Sequence, residues 1–159
     1  MSQLEKMPPL IPELQVRNIG ESVHFYVDVL GFSIVFDRPE SKFAMIALQG
    51  SCIMLEQTDR VTAVSDDEFI KDREWRTGAL EYPFGRGINF QIIIDDIDAK
   101  YTHVQSMNYP IKVPLEEQWY RAEDKFLGVK QFLLLDPDGY LLRIQQDNGI
   151  KPLANASDS

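Results

Sequence analysis

Apolar side chains in the first third of the chain change from a strand-like to a helical distribution and back. A short apolar stretch begins at Leu14, and Asn18 and Glu21 then have the spacing of a helix N-cap and its reciprocal partner. Gly31 stands where such a helix would end in the left-handed conformation. The apolar residues between them recur at the intervals of one buried helical face: Ile19, Val23, Tyr26, Val27 and Leu30. The pattern predicts a strand followed by a helix.

Three strands are predicted after this helix. Residues 34–36 and 43–48 are rich in apolar and β-branched side chains. Gln49 and Gly50 form a turn signal before a third apolar run at residues 52–56. The first unit is therefore predicted to have the order strand, helix and three strands.

The same order returns in the second half of the chain. A strand is predicted for residues 90–94, and Asp95 and Asp96 offer a cap for a helix that ends before Pro110. An apolar strand follows at residues 129–135, and a closing strand is predicted for residues 140–146 after the turn at residues 136–139.

The two units differ in the lengths of their loops. Ile19 and Ile97 are 78 positions apart, whereas the turn glycines Gly50 and Gly139 are 89 positions apart. An internal duplication of this kind predicts two supersecondary units that bury their apolar faces together.

These units divide the chain into an N-terminal module (residues 1–56), an inter-module loop (57–87), a C-terminal module (88–147) and a tail (148–159), all within one structural domain. The loop is too long for a hairpin connection, and Ser65 and Glu68 predict a short capped helix within it. Its aromatic residues favour an ordered loop. The tail is polar and is predicted to be disordered.

The balance of charge excludes some classes of partner. The chain has 16 Lys and Arg residues against 25 Asp and Glu residues, which gives a net charge of -9. A nucleic acid backbone would be repelled, whereas a cationic small molecule would be attracted. We find no segment long and apolar enough for a membrane helix or a signal peptide, and we expect a cytoplasmic protein. The single cysteine, Cys52, lies in an apolar run and is predicted to be a buried structural thiol.

The repeat resembles the glyoxalase, bleomycin resistance protein and extradiol dioxygenase (vicinal oxygen chelate) superfamily. The resemblance rests on the first-helix segment SVHFYVDVLGF at residues 22–32 and on the turn DPDGY at residues 136–140, and it extends over residues 10–146. It implies an α+β fold in which each module forms a curved, cup-shaped mixed sheet. The chain is most similar to the bleomycin resistance proteins of this superfamily, which implies a binding protein assembled as a homodimer.

In the enzymes of this superfamily, metal ligands come from the first and last strands of both modules. Those positions fall at Ile11, at Met54 or Glu56, at Asn89 and at Arg143. A divalent cation prefers carboxylate or imidazole, and a guanidinium group would oppose it. We therefore expect no metal and no other cofactor, with Glu56 as the one ligand if a metal binds. We predict no catalytic residue, since the two histidines lie in the predicted helices.

A set of polar side chains is predicted to face the inside of the cups. Strand alternation places Arg143 and Gln145 on one face of the closing strand, and Asn89 and Gln91 on one face of the strand before the second helix. Polar groups there need partners. Two interpretations stay open, a structural network that joins Arg143 to Glu56 and a set of ligand contacts.

Two aromatic residues complete the candidate ligand-binding set. Trp119 and Tyr120 precede the apolar strand, in the region where the bleomycin resistance proteins carry aromatic residues beside the drug groove. Such residues suit a flat cationic ligand through stacking and cation–π contacts. Packing of Trp119 in the core is the alternative. The predicted ligand-binding residues are Glu56, Asn89, Gln91, Trp119, Tyr120 and Arg143.

Three functions are compatible with these residues. The first is the binding and sequestration of a bleomycin-type or other cationic aromatic compound without chemistry. The second is a divalent-metal-dependent glyoxalase-like lyase or dioxygenase. The third is the binding of another metabolite. The resemblance also implies ligand sites at a dimer interface, against which Pro8 and Pro9 would hold an extended arm.

Overall fold

Two four-stranded mixed sheets form the protein, which is described here by a computed structural model covering residues 7–153. Each sheet contains one parallel strand pair, and its other pairs are antiparallel. The first sheet has the order β1-β4-β3-β2 and the second has the order β5-β8-β7-β6. The strands are β1 (Glu13–Val16), β2 (Ser33–Arg38), β3 (Phe43–Leu48), β4 (Ser51–Gln57), β5 (Asn89–Ile93), β6 (Val113–Ala122), β7 (Lys125–Leu135) and β8 (Leu141–Pro152). The helices are α1 (Ile19–His24), α2 (Asp66–Lys71) and α3 (Ile97–Ser106). This confirms the predicted α+β fold of two strand-helix-three-strand modules.

The first helix begins and ends where the sequence predicts. The side chain of Asn18 accepts a hydrogen bond of 2.9 Å from the backbone amide of Glu21. The chain continues from α1 through a π-helical turn, Phe25–Val29, and Gly31 then has a φ of 87°. This is the left-handed conformation that favours glycine.

In both modules, a glutamine side chain accepts a hydrogen bond from the first amide of the helix. The side chain of Gln57, at the end of β4, accepts a hydrogen bond of 3.0 Å from the amide of Ile19. The side chain of Gln146, in β8, accepts the corresponding bond of 2.9 Å from Ile97. Both glutamines satisfy a helix amide that has no partner within its helix. The duplication therefore extends to a bond between the last strand and the helix.

A single apolar core lies against the helices of both modules. The side chains of Leu14, Ile53 and Leu55 from the first sheet are buried there, as are those of Phe132 and Ile144 from the second. These residues alternate with polar or half-buried neighbours along each strand, as a sheet with one covered face requires.

Polar bonds between the modules converge on the turn before β8. The hydroxyl of buried Tyr26 donates a hydrogen bond of 2.8 Å to Asp136, and the Arg17 guanidinium donates one of 2.8 Å to Asp138. The hydroxyl of Tyr140 donates to the backbone carbonyl of Gln15. Burial raises the pKa of Asp136 to about 6, although the hydrogen bonds that it accepts act in the opposite direction. The turn thus links the first helix to the second sheet.

The second sheet is larger than the sequence indicates. Strand β6 was not predicted. Strand β8 continues to Pro152, so the prediction of a disordered tail is wrong for residues 148–152. Lys125 pairs with Pro152, and Phe126 pairs with Lys151, so that the extended β6–β7 hairpin supplies hydrogen-bond partners to the polar tail. Residues 154–159, the remainder of the predicted tail, lie outside the described residues.

The inter-module loop contains the short helix that Ser65 and Glu68 predict. Both reciprocal bonds of the capping box are present, and α2 begins at Asp66. Farther along the loop, buried Arg76 donates hydrogen bonds to the backbone carbonyls of Arg60 and Gly78. The loop is therefore held by its own side chains. Within residues 7–153, no helix has the length and apolar character needed to cross a membrane.

Candidate ligand-binding site

Each sheet has one face that its helix does not cover, which we call the open face. On the first sheet, the register of β1, β3 and β4 places Glu13, Gln15, Met54 and Glu56 on this face. The neighbouring residues of alternate parity, such as Leu55, are buried against the helix. The open faces are therefore where polar side chains are available to a ligand.

On the second open face, four polar side chains form hydrogen bonds with that of Gln131. The carboxamide oxygen of Gln131 accepts a hydrogen bond of 2.7 Å from Gln145 and one of 3.4 Å from Arg143. Its amide nitrogen donates to the Glu116 carboxylate at 2.9 Å and to the Tyr120 hydroxyl at 3.1 Å. Gln131 is only 4% exposed, so these bonds compensate for the burial of its amide.

Four of the predicted ligand residues belong to this open face. Arg143 and Tyr120 contact Gln131 directly, and Gln91 is the register partner of Arg143. Asn89 lies two residues before Gln91 on the same edge strand, and both amides are exposed. The structure therefore brings Tyr120 and Arg143 together at Gln131, and places Gln91 beside Arg143 and Asn89 farther along β5 on the same face.

Trp119 is not part of this group. Because adjacent residues of a strand point to opposite faces, Trp119 lies on the other side of β6 from Tyr120. Its ring covers Gly128, where an added Cβ atom would lie 2.6 Å from the indole, and the Lys151 ammonium lies 3.9 Å from the ring centroid. The side chain of Trp119 thus packs across β6, β7 and β8.

Glu56 also lies apart from Arg143, in the first sheet. Its register partner in β1 is Gln15, and its carboxyl group lies beside that of Glu13. Arg143 donates instead to Gln131, so the described residues contain no bond between Arg143 and Glu56. The structural network that joins these two residues is therefore not formed.

Burial and the neighbouring Glu56 carboxyl raise the pKa of Glu13 to about 7, against a weaker opposing influence from Arg38. One carboxyl oxygen of Glu13, Oε1, is buried and has no hydrogen-bond donor among residues 7–153. The Arg38 guanidinium lies 4.0 Å from the ring centroid of Phe43, the register partner of Glu56 in β3. The first open face therefore holds an acidic pair beside an aromatic ring and a cation.

Two clefts adjoin the open faces. One, of about 330 Å³, lies where the inter-module loop passes over the end of the first sheet, and Gln15, Glu56 and Glu74 line it. The other, also of about 330 Å³, lies between β4 and β5 and is lined by Cys52 and Gln91 among others. Cys52 is half-buried rather than buried, because its side chain has the parity of the open face, and partial burial raises the pKa of its thiol.

Three residues of these faces were missed from the sequence, although a signal for each was present. Gln131 interrupts an apolar strand at the parity of the open face, and Glu13 and Gln15 have the same parity as Ile11, the superfamily ligand position just before β1. Ligand positions transferred from a family do not include the neighbouring residues of the same strand that share the face.

The residues at the superfamily metal positions do not fit a divalent metal. Ile11 has no donor atom, and Arg143 brings a positive charge that is hydrogen-bonded to Gln131. Within residues 7–153, no group of three or more His, Cys, Asp or Glu side chains is arranged to hold a metal ion. Glu56 has one acidic neighbour, Glu13, which is fewer ligands than such a centre needs.

This fold and these open faces define a protein of the vicinal oxygen chelate type. The family model described as "Glyoxalase/Bleomycin resistance protein/Dioxygenase superfamily" matches residues 10–144. The chain belongs to this superfamily, as the first-helix segment and the turn before β8 indicated.

Similar proteins within the superfamily differ in function. The bleomycin resistance protein of Geobacillus stearothermophilus is 27% identical over 146 residues, which cover 86% of this chain and 94% of that protein. A solved Agrobacterium tumefaciens protein of unknown function is 26% identical, covers 88% of this chain and 94% of its own, and has a TM-score of 0.59. Lactoylglutathione lyase from Agrobacterium tumefaciens, at 17% identity, has a TM-score of 0.53 over 87% of this chain and 94% of its own. The fold thus accommodates both a resistance protein and an enzyme.

Proposed function

We propose that the protein binds and sequesters a small organic molecule on its open faces, without chemical conversion. A bleomycin-type or other cationic aromatic compound is the leading ligand, and another metabolite of similar chemistry is the alternative. The observation that carries this proposal is the group of polar side chains around buried Gln131, which ends in the aromatic ring of Tyr120.

Free hydrogen-bonding capacity supports a ligand at this group. A guanidinium group has five N–H donors, and the side chain of Arg143 makes one hydrogen bond among the described residues, the 3.4 Å contact to Gln131. Asn89 and Gln91 are exposed on the neighbouring edge strand. Tyr120 is 44% exposed and offers a stacking surface next to Gln131, on the same face of the sheet. A polar aromatic compound would satisfy these groups.

The donor set favours binding over metal catalysis. A lyase or dioxygenase of this superfamily needs ligands where this chain has Ile11, Asn89 and Arg143. The bleomycin resistance proteins, which resemble the chain over 86% of its length, are named for resistance to a drug and not for a reaction. Sequestration is therefore the favoured function, because it does not require the metal ligands that these three positions lack.

We further propose that two chains assemble with their open faces against each other. Ile93, Tyr120, Leu127 and Ile150 are large apolar side chains of the second sheet that are each more than 40% exposed. The outer edges of β1 and β5 have no strand partner among the described residues. A second copy would cover these side chains and enclose the ligand between modules of different chains.

Calorimetric titration with bleomycin tests the proposed site. Tyr120→Ala is expected to weaken binding by about 1 kcal/mol or more, because it removes the exposed aromatic ring next to Gln131. Trp119→Ala is the matched comparison, since its ring lies on the opposite face, and it is expected to lower the melting temperature more than the affinity. Equal affinity of the wild type and Tyr120→Ala would place the ligand elsewhere.

A further inference from the structure

The acidic pair on the first open face is incompletely satisfied. Glu13 and Glu56 lie on neighbouring parallel strands with their carboxyl groups adjacent, and the buried Oε1 atom of Glu13 has no donor in the part of the chain that the structure describes. Two adjacent acidic groups are costly to bury, so that an unpartnered oxygen in such a place calls for an explanation.

A second polar group points to the same place. Gln15 is the register partner of Glu56, is only 8% exposed and lines the cleft beneath the inter-module loop. Its backbone carbonyl is used by Tyr140, but its side-chain amide makes no hydrogen bond within residues 7–153. An amide that is buried this deeply normally has a partner. Gln15, Glu13 and Glu56 therefore form an acceptor-rich set, in which the amide N–H groups of Gln15 face four carboxyl oxygens.

The charges around the cleft favour a cation. Four carboxylates, those of Glu56, Asp59, Asp72 and Glu74, line it together with the guanidinium groups of Arg60 and Arg73. The Arg60 charge is balanced by Glu68 at 3.2 Å and by Glu74 at 3.6 Å, and the Arg73 guanidinium lies 5.3 Å from the ring centroid of Trp75. Lys42 is paired with Asp59 at 3.4 Å, and Arg38 stacks on Phe43. Among the described residues, Glu56 and Asp72 thus have no ion pair, and Glu13 adds a further carboxyl group beside Glu56.

We propose that Glu13, Gln15 and Glu56 form a subsite for an organic cation with several N–H donors, such as an amidinium or ammonium group of the bound molecule. A planar cation of this kind would donate to both carboxylates and to the amide oxygen at once. The inference deepens the proposed small-molecule binding by naming the charged group that the ligand carries. It rests on that function but uses residues of the first sheet only.

The probe is benzamidine hydrochloride, with neutral benzamide as its isostere, titrated at constant ionic strength. The chain contains two tryptophans, so Trp119→Phe leaves Trp75, next to the cleft-lining Glu74, as the fluorescent reporter. Benzamidine is expected to change this fluorescence saturably and benzamide is not. Glu13→Gln and Glu56→Gln are each expected to weaken benzamidine binding about tenfold or more, the usual effect of losing a hydrogen bond to a charged group.

Glu117→Gln is the matched control, because it removes the same charge from an exposed position of β6 in the other sheet, and it should leave benzamidine binding unchanged. Melting temperatures of all variants show whether each is folded. Benzamide binding as tightly as benzamidine, or benzamidine binding that neither carboxamide variant weakens, would overturn the subsite. Manganese chloride that binds in place of benzamidine and is lost in both variants would also overturn it, in favour of a metal. Failure of bleomycin to bind while benzamidine binds as expected would refute only the proposed drug.

Discussion

Replacing Glu13 by Gln should make the protein more stable at neutral and alkaline pH. The pKa of Glu13 is raised to about 7, chiefly by burial, from an ordinary value of 4.5. Between these two pH values the unfolded chain loses the proton that the folded chain retains, so that the wild type loses stability as the pH rises. Glutamine preserves the size of the side chain without the charge.

The magnitude follows from the shift in pKa. A shift of this size corresponds to an upper limit of about 3 kcal/mol, and since Glu13 is only partly buried, solvent screening reduces the expected gain to about 1–2 kcal/mol. For a chain of this length, a gain of that order raises the melting temperature by about 2–8 °C. The free energy of unfolding in urea should therefore be higher for Glu13→Gln than for the wild type at pH 8, and the difference should decrease toward pH 5.5.

The matched control is again Glu117→Gln, which changes the net charge equally and is expected to show no pH-dependent difference from the wild type. A Glu13→Gln variant that is less stable than the wild type at pH 8 would refute the account, because it would mean that the Glu13 carboxylate has a stabilising partner. A difference in stability between the two proteins that does not change across this pH range would also refute the account. A variant that is more stable yet binds benzamidine more weakly would identify Glu13 as a residue retained for binding.

Three further predictions concern the core, the hairpin and the assembly. Tyr26→Phe removes the donor to buried Asp136 and should cost about 1–3 kcal/mol of unfolding free energy in urea; a loss of a few tenths would show that the bond contributes little. Gly128→Ala places a methyl group against the indole of Trp119, so the tryptophan emission should shift and the melting temperature should fall, and an unchanged emission spectrum would contradict this packing. Light scattering at micromolar concentration should give the mass of a dimer, and a monomer would count against a site enclosed between two chains.

Most of the fold could be predicted from local signals in the sequence. The cap at Asn18, the left-handed Gly31 and the turn before β8 each depend on residues that are close together in the chain. Strand alternation correctly separated Ile144, buried against the helix, from Arg143 on the open face. Such features need no knowledge of the tertiary structure.

Features that depend on pairing between distant segments could not be predicted in this way. The polar residues 148–152 have no intrinsic strand signal and become a strand because β7 extends beside them. The proximity of Glu13 to Glu56 depends on the register between β1 and β4, which the alternation of each strand leaves open. Trp119 and Tyr120 were grouped because they are adjacent in sequence, although adjacency in a strand places them on opposite faces.

The central claim is that the protein binds its ligand without changing it, and native mass spectrometry after incubation with bleomycin tests this directly. We expect a dimer that carries two bleomycin molecules, whose mass is unaltered when they are released by denaturation. A protein that remains free of ligand at high micromolar bleomycin would contradict the binding of this drug. A released compound of altered mass would contradict sequestration and would show that the protein is an enzyme.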